Sequence, residues 1–414
     1  MAVDEAATDV EDAGTDQARL LDSGASGDSS VAGGDALSSG SLPCNPAASV
    51  VPISAGALHT CGITAAGGVK CWGDNTYGKL GNDVTSFSAV PMDVLGLTNI
   101  LAVSAGVSHT CAVTDAGAAL CWGDNRDGEL GNGSTTNSAT PVGVVGLSTG
   151  VVAISAGDGH TCALTTAGAV ECWGDGSHGQ LGNGGTANSS VPTDVAGLAE
   201  CVVSVSAGTY HTCAATAAGG VKYWGDSSYG ELGNFSPPVA AAFVPTDVIG
   251  APSTSIAVKT AEIESCILTS AGSVSCWGAG DLGDGTTMGS SEPVNVSGLL
   301  SPVTAISVGE SHACAVTVQG GAMCWGNNLY GQLGNGTTAG GAVPVVVSGL
   351  DSGVTAIAAG WGGQFESWSV NGGNRHTCAV IQGGAIQCWG SNDSGQLGNG
   401  STTSSSVPVE VVGF

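Results

Sequence analysis

The chain has 414 residues, 70 of them Gly, and carries 34 Asp and Glu against seven Lys and Arg, a net charge of −27. So acidic a surface repels phosphate, and so few cations form no basic stripe, which excludes nucleic acid and anionic membrane surfaces as partners. No uninterrupted run of about eighteen apolar residues occurs, so no membrane span is expected.

Residues 1–43 hold nine acidic groups against Arg19 and almost no large apolar side chains. Such a stretch cannot offset the entropy of its own ordering, so a disordered acidic tail rich in Asp, Ala, Gly and Ser is expected at 1–43. Met1 is followed directly by acidic residues, without a positive and then apolar leader, so no secretory signal is expected within this sequence. The remaining charge of −19 falls on residues 44–414, which are expected to fold as one closed domain.

That domain is internally repetitive. A Trp-Gly pair recurs at Trp72, Trp122, Trp173, Trp224, Trp277, Trp325 and Trp389, with gaps of 50, 51, 51, 53, 48 and 64 residues. The third copy reads as four short strands, Val151 to Gly157, His160 to Thr165, Ala169 to Gly174 and Val191 to Val195, each bounded by Gly, Asn, Asp or Ser. No sustained helical stripe occurs in residues 50–414. Seven four-stranded units of about fifty residues predict an all-β fold, a seven-bladed β-propeller of four-stranded antiparallel blades.

Six copies hold two cysteines ten residues apart: Cys61 and Cys71, Cys111 and Cys121, Cys162 and Cys172, Cys266 and Cys276, Cys314 and Cys324, Cys378 and Cys388. The even spacing puts both members on one face of a hairpin and opposite each other, close enough for a cross-strand disulfide. The plainer alternative is a reduced, buried thiol. Disulfides are the expectation, and with them an oxidising, extracytoplasmic compartment, secreted or cell-surface. In the fourth copy Tyr223 takes the place of the second cysteine and orphans Cys213; Cys44 and Cys201 have no counterparts, and Cys44 could reach either Cys201 or Cys213.

The other recurring residues read as structure. The Gly-Asp-Asn loops, such as Gly123 to Gly133, offer too few carboxylates for a calcium loop and are expected to be turns. His59, His109, His160, His211, His312 and His376, with Glu264 in the fifth copy, should ring one face. Blade spacing of roughly 10 Å keeps such histidines from sharing an ion, so each is expected to tie its own loop to backbone. The seven tryptophans are expected as packing against the adjacent blade rather than as a sugar platform. No catalytic residue, metal site or cofactor is expected.

Four segments carry a resemblance: Gly106 to Thr114 (GVSHTCAVT), Cys121 to Asn125 (CWGDN), Gly128 to Gly133 (GELGNG) and Val407 to Val411 (VPVEV). With their counterparts in all seven copies, over about residues 48–414, they resemble the regulator-of-chromosome-condensation repeat family. The resemblance implies a seven-bladed propeller. It leaves function open, because members include a guanine-nucleotide exchange factor for a small nuclear GTPase, β-lactamase-inhibitor propellers and interaction modules. The cysteine pairs resemble exported bacterial members.

Function is expected where the copies differ. In the seventh copy fifteen residues, Trp361 to Arg375, stand where other copies have two, and Trp361, Phe365, Trp368 and Arg375 are the candidate partner-binding residues. The alternative is a plug over the propeller mouth. A loop at Asn234 to Val244, with Phe235 and Phe243, could extend that surface; Gly278 to Gly285 is merely shortened. The expectation is a non-enzymatic, monomeric binding module for a protein or surface glycan. Two rivals are an enzyme of lyase or hydrolase type at the mouth, with Glu262, Glu264 and Glu310 as first suspects, and a structural coat or adhesion component.

Overall fold

The computed structural model describes residues 44, 46, 50–198, 201–228, 230–231, 233, 241–361 and 375–414. They form seven four-stranded antiparallel sheets, each built from four consecutive strands, so the predicted propeller is present. Blade 1 spans Ile53–Asp93, blade 2 Ile100–Gly143, blade 3 Val151–Asp194, blade 4 Val202–Asp247, blade 5 Ser255–Asn295, blade 6 Val303–Val346 and blade 7 Val354–Glu410. No helix among the described residues is long and apolar enough to cross a membrane.

In blade 3 the strands are Val151–Ala156, His160–Thr165, Val170–Gly174 and Ser189–Asp194, in spatial order. The turn between the second and third closes on Gly168, whose φ of 75° favours glycine. That tight turn sets the register in which Cys162 faces Cys172. Their Cα atoms are 4.1 Å apart and their sulfurs are joined; the same holds for all six predicted pairs. A seventh disulfide links Cys44 to Cys201, resolving the choice that the sequence left open, and leaves Cys213 as a buried thiol.

Each blade hides its apolar face against the next. Trp173 of blade 3, for example, lies in a cluster with Cys111, Cys121, Leu130 and Val144 of blade 2, and all seven repeat tryptophans are fully buried. Six of them also donate their indole hydrogen to a loop carbonyl of the preceding blade, as Trp173 Nε1 does to Glu129 O at 2.8 Å. The loop that offers the carbonyl is held by a buried asparagine. Asn125 accepts from Leu130 N at 2.9 Å and donates to Ser134 O and Thr136 O, so the Gly-Asp-Asn loop is a turn.

The ring closes without exchanging a strand. Blade 7 meets blade 1 through the contacts used elsewhere: His376 with Thr60, Trp72 Nε1 to Gln396 O and Trp361 N to Gly56 O. Phe414 adds a T-shaped contact with Trp72 at 5.8 Å between centroids. Its ring fills the place of a side chain at Gly62, where a Cβ would lie 2.7 Å from it; five of the other copies have Ala there and blade 5 has Ile267.

Candidate functional site

The histidine ring is an interface, not a face. Instead of tying its own loop to backbone, each histidine reaches the next blade's hydroxyl through Nε2: His59 to Thr110 (2.9 Å), His109 to Thr161 (2.8 Å), His160 to Thr212 (2.8 Å), His211 to Ser265 (3.2 Å), His312 to Thr377 (2.8 Å) and His376 to Thr60 (2.7 Å). The expectation failed because the second strand, where the histidine sits, lies at the junction between blades. Thr161 donates its own hydrogen to Glu129 O, so it accepts from His109, which fixes the hydrogen on Nε2. Burial pulls the imidazoles well down the pH scale, to about 4 at His109 and about 3 at His160, His312 and His376. These rings are neutral struts with no access to substrate.

One junction departs from the pattern. Between blades 5 and 6, Glu264 replaces the histidine, Ala313 replaces the threonine, and Ala261 stands where all six other blades have Gly next to the imidazole. At Gly157 a Cβ would lie 3.1 Å from the His160 ring and 2.4 Å from Gly208 O; with no imidazole, one of these obstacles is gone from Ala261. The blade 5 loop is also short, and Trp325 Nε1, alone of the seven indoles among the described residues, has no acceptor. Burial and Asp281 push the Glu264 carboxyl up to about 8. Glu264, Cys266 and Cys276 are the only trio of potential ligand groups close together among the described residues, but the two sulfurs are bonded to each other and cannot bind a metal as thiolates.

The connections between first and second strands surround the mouth of the central shaft. Ala57, Val107 and Trp361 pack together on one side of it. The matching positions in blades 3 to 6 are Asp158, Thr209, Glu262 and Glu310. Trp361 is only 9% exposed, packed against Ala57 and Val107. Arg375 makes a two-pronged, half-buried pair with Glu310 at 2.7 and 2.9 Å. Phe365, Trp368 and Phe235 lie outside the described residues. Glu310 is thus engaged by Arg375, and Glu262, Glu264 and Glu310 form no cluster of three.

On the same face, the loops of blades 1 to 4 enclose a cleft of about 520 Å³ lined by Asp124, Asp127, Glu129, Asp158 and Asp175, with Tyr77, His178 and Tyr210 as aromatic walls. Its one cation, Arg126, is held by both oxygens of Asp124 and lies 4.8 Å from the centre of the Tyr77 ring. Asp127 is raised by burial and by the neighbouring Asp175 and Asp124. Glu129, 3% exposed, is pushed up to about 8, chiefly by burial. Thr209 Oγ1 is buried on the cleft wall without a partner among the described residues. Sequence reading missed this cleft because its acids come from two neighbouring copies, blades 2 and 3, each unremarkable alone; the legible signal was that Asp158, Thr209 and His178 are not repeated.

Residues 22–368 match the RCC1-like domain and residues 384–414 the Regulator of chromosome condensation (RCC1) repeat. The human E3 ubiquitin-protein ligase HERC2 is 30% identical over 274 residues, 64% of this chain and 5% of that protein. The Ultraviolet-B receptor UVR8 of Arabidopsis thaliana is 31% identical over 266 residues, 62% of this chain and 57% of the receptor. The chain therefore spans a small part of the first relative and just over half of the second. Among solved structures, human WBSCR16 superposes with a TM-score of 0.66 at 26% identity over 75% of this chain and 84% of that one. Prp20p of Saccharomyces cerevisiae gives 0.71 at 19% identity, covering 88% and 87%, a likeness of fold. With a family match over most of its length and all seven blades in place, this chain belongs to the RCC1-like propeller family.

Proposed function

We propose that the chain is a non-enzymatic protein-binding propeller of an extracytoplasmic, secreted or cell-surface setting, and that it recognises its partner with the face bearing the shaft mouth and the acidic cleft. Seven disulfides support the oxidising setting, because reducing compartments do not maintain them. Protein binding fits the family: a solved relative is described with binding properties to Gsp1p and histones. The acidic stretch 1–43 would serve as a spacer.

The observation that carries the reading is a cleft on one face where the unrepeated Asp158, Thr209 and His178 meet carboxyl groups of the repeat, Asp124, Glu129 and Asp175. The repeated His, Thr, Trp and Asn hold blades together, whereas the five carboxyl groups of the cleft converge from loops of different blades. Such a cleft suits a lysine or arginine side chain of the partner, with Tyr77 and Tyr210 flanking the aliphatic stem. Glycan recognition loses its best support, since all seven repeat tryptophans are buried. Residues Trp361, Phe365, Trp368 and Arg375 remain proposed partner-binding residues.

The test is capture of extracellular proteins by the intact chain, by the Asp127→Lys, Asp175→Lys variant and by Trp361→Ala, Trp368→Ala, with bound species identified by mass spectrometry. A partner lost on charge reversal and released by moderate salt supports the cleft. Capture unchanged in both variants would falsify the reading.

A further inference from the structure

The propeller holds six Lys and Arg. Five are paired with carboxylates: Lys70 with Asp93, Lys79 with Asp74, Arg126 with Asp124, Lys222 with Asp247 and Arg375 with Glu310. The sixth, Lys259, has no partner among the described residues and lines the central shaft. In a chain of net charge −27, a cation left without a carboxylate needs a physical reason.

Lys259 stands on the first strand of blade 5, opposite Cys266. The same register position holds Ser54, Ser104, Ser155, Ser206 and Ser307 in five other blades and Ala358 in blade 7. Each of these serines accepts a backbone hydrogen from the next blade, as Ser155 Oγ does from Ala207 N at 2.9 Å and Ser307 Oγ from Ala359 N at 2.9 Å. An oxygen whose lone pair is used this way keeps its own hydrogen to offer into the shaft. In blade 5 the accepting hydroxyl is replaced by an amine, which as an ammonium only donates.

The shaft cavity is about 150 Å³, and among the described residues its lining contains no Asp or Glu. Its polar side chains are the serines, Lys259 and Thr260; the serine hydroxyls and Lys259 are the donors toward the interior, whereas Thr260 gives its hydrogen to Ser206, and Trp361 contributes to the wall. A cavity of this size takes a halide or an anion of a few heavy atoms. The carboxylates of the cleft and mouth lie outside it.

We propose that the shaft is a binding site for one small monoanion, a halide or a short carboxylate, held by the Lys259 ammonium and the hydroxyls of neighbouring blades. This inference goes beyond the partner-binding reading and does not depend on it. Burial draws the Lys259 amine down from its usual range, and a bound anion restores the charged form that burial disfavours.

The test uses the full chain. Crystals soaked in sodium bromide should show anomalous density within hydrogen-bond reach of Lys259 Nζ, and none there in Lys259→Met. In solution, bromide, formate and acetate are each compared at fixed ionic strength against gluconate, which is too large for the shaft. The expected rise in Tm is about 3–4 °C near a hundredfold excess over Kd, lost in Lys259→Met; the arm with the largest rise distinguishes halide from carboxylate. Wild-type crystals with an empty shaft, or a Tm response that survives in Lys259→Met, would overturn the proposal. If Lys259→Met does not fold, the wild-type bromide density alone decides.

Discussion

His160 Nε2 of blade 3 lies 2.8 Å from Thr212 Oγ1 of blade 4, and Thr212 Oγ1 in turn donates to Gln180 O of blade 3 at 2.9 Å. A single hydroxyl thus takes a hydrogen from one part of the preceding blade and returns one to another. Replacing Thr212 by Val removes both bonds and leaves a buried N–H without an acceptor, an expected cost of about 1–3 kcal/mol in urea unfolding. Thr212→Ser should keep the relay and recover most of the loss.

The same histidines set an acid limit. Their folded-state affinity for protons is depressed, to about 3 at His160, His312 and His376, against 6.5 when exposed. Their contribution is therefore fully present above pH 6.5 and is lost as pH falls toward 3, at about 1.4 kcal/mol per pH unit for each histidine. Equilibrium unfolding between pH 7 and pH 4 should show a steep loss, and a variant with one histidine and its threonine partner both made apolar should show a shallower slope.

Glu129 works in the opposite direction. Its carboxyl, pushed up to about 8 from 4.5, gives stability that is whole below 4.5 and lost as pH rises through 8. Blade 3 has Gln180 at this position, whose Nε2 donates to Asp175 Oδ2 at 2.8 Å and whose Oε1 accepts from His178 N. Glu129 Oε2 likewise accepts from Asp127 N at 2.9 Å. Glu129→Gln should match wild type near pH 4.5 and exceed it by about 1–3 kcal/mol at pH 9.

Cys213 predicts a thiol count. Its thiol is fully buried and raised to about 12 by burial, so iodoacetamide should leave the native protein unmodified. Unfolding without reductant should expose one reactive thiol, and reduction all fifteen. Several more thiols before reduction would contradict the seven disulfides.

At the junction of blades 5 and 6, Glu264→His and Ala313→Thr together restore the pair used elsewhere, with Ala261→Gly making room for the ring. Each single change should be neutral or destabilising. The triple variant should be more stable than their sum by about 1 kcal/mol, the coupling expected of groups in direct contact.

Much of this protein was written in the local pattern. The recurring Trp-Gly pair fixed the number of blades, the turn residues fixed four strands in each, and an even spacing of ten placed Cys162 opposite Cys172, because strand alternation and hairpin register are local properties. Nothing local could tell Cys44 to choose Cys201 over Cys213, since that choice depends on which turn passes beside the first strand. His160 was legible as a repeated residue, yet its partner is 52 positions away. Only the packing of successive blades brings such residues together and gathers the five acids of the cleft from blades 2 and 3, and only closure of the ring sets Lys259 in a shaft lined by serines. Side-chain periodicity acts within a strand, whereas burial and charge are decided by neighbours that the chain reaches only after a full blade has folded.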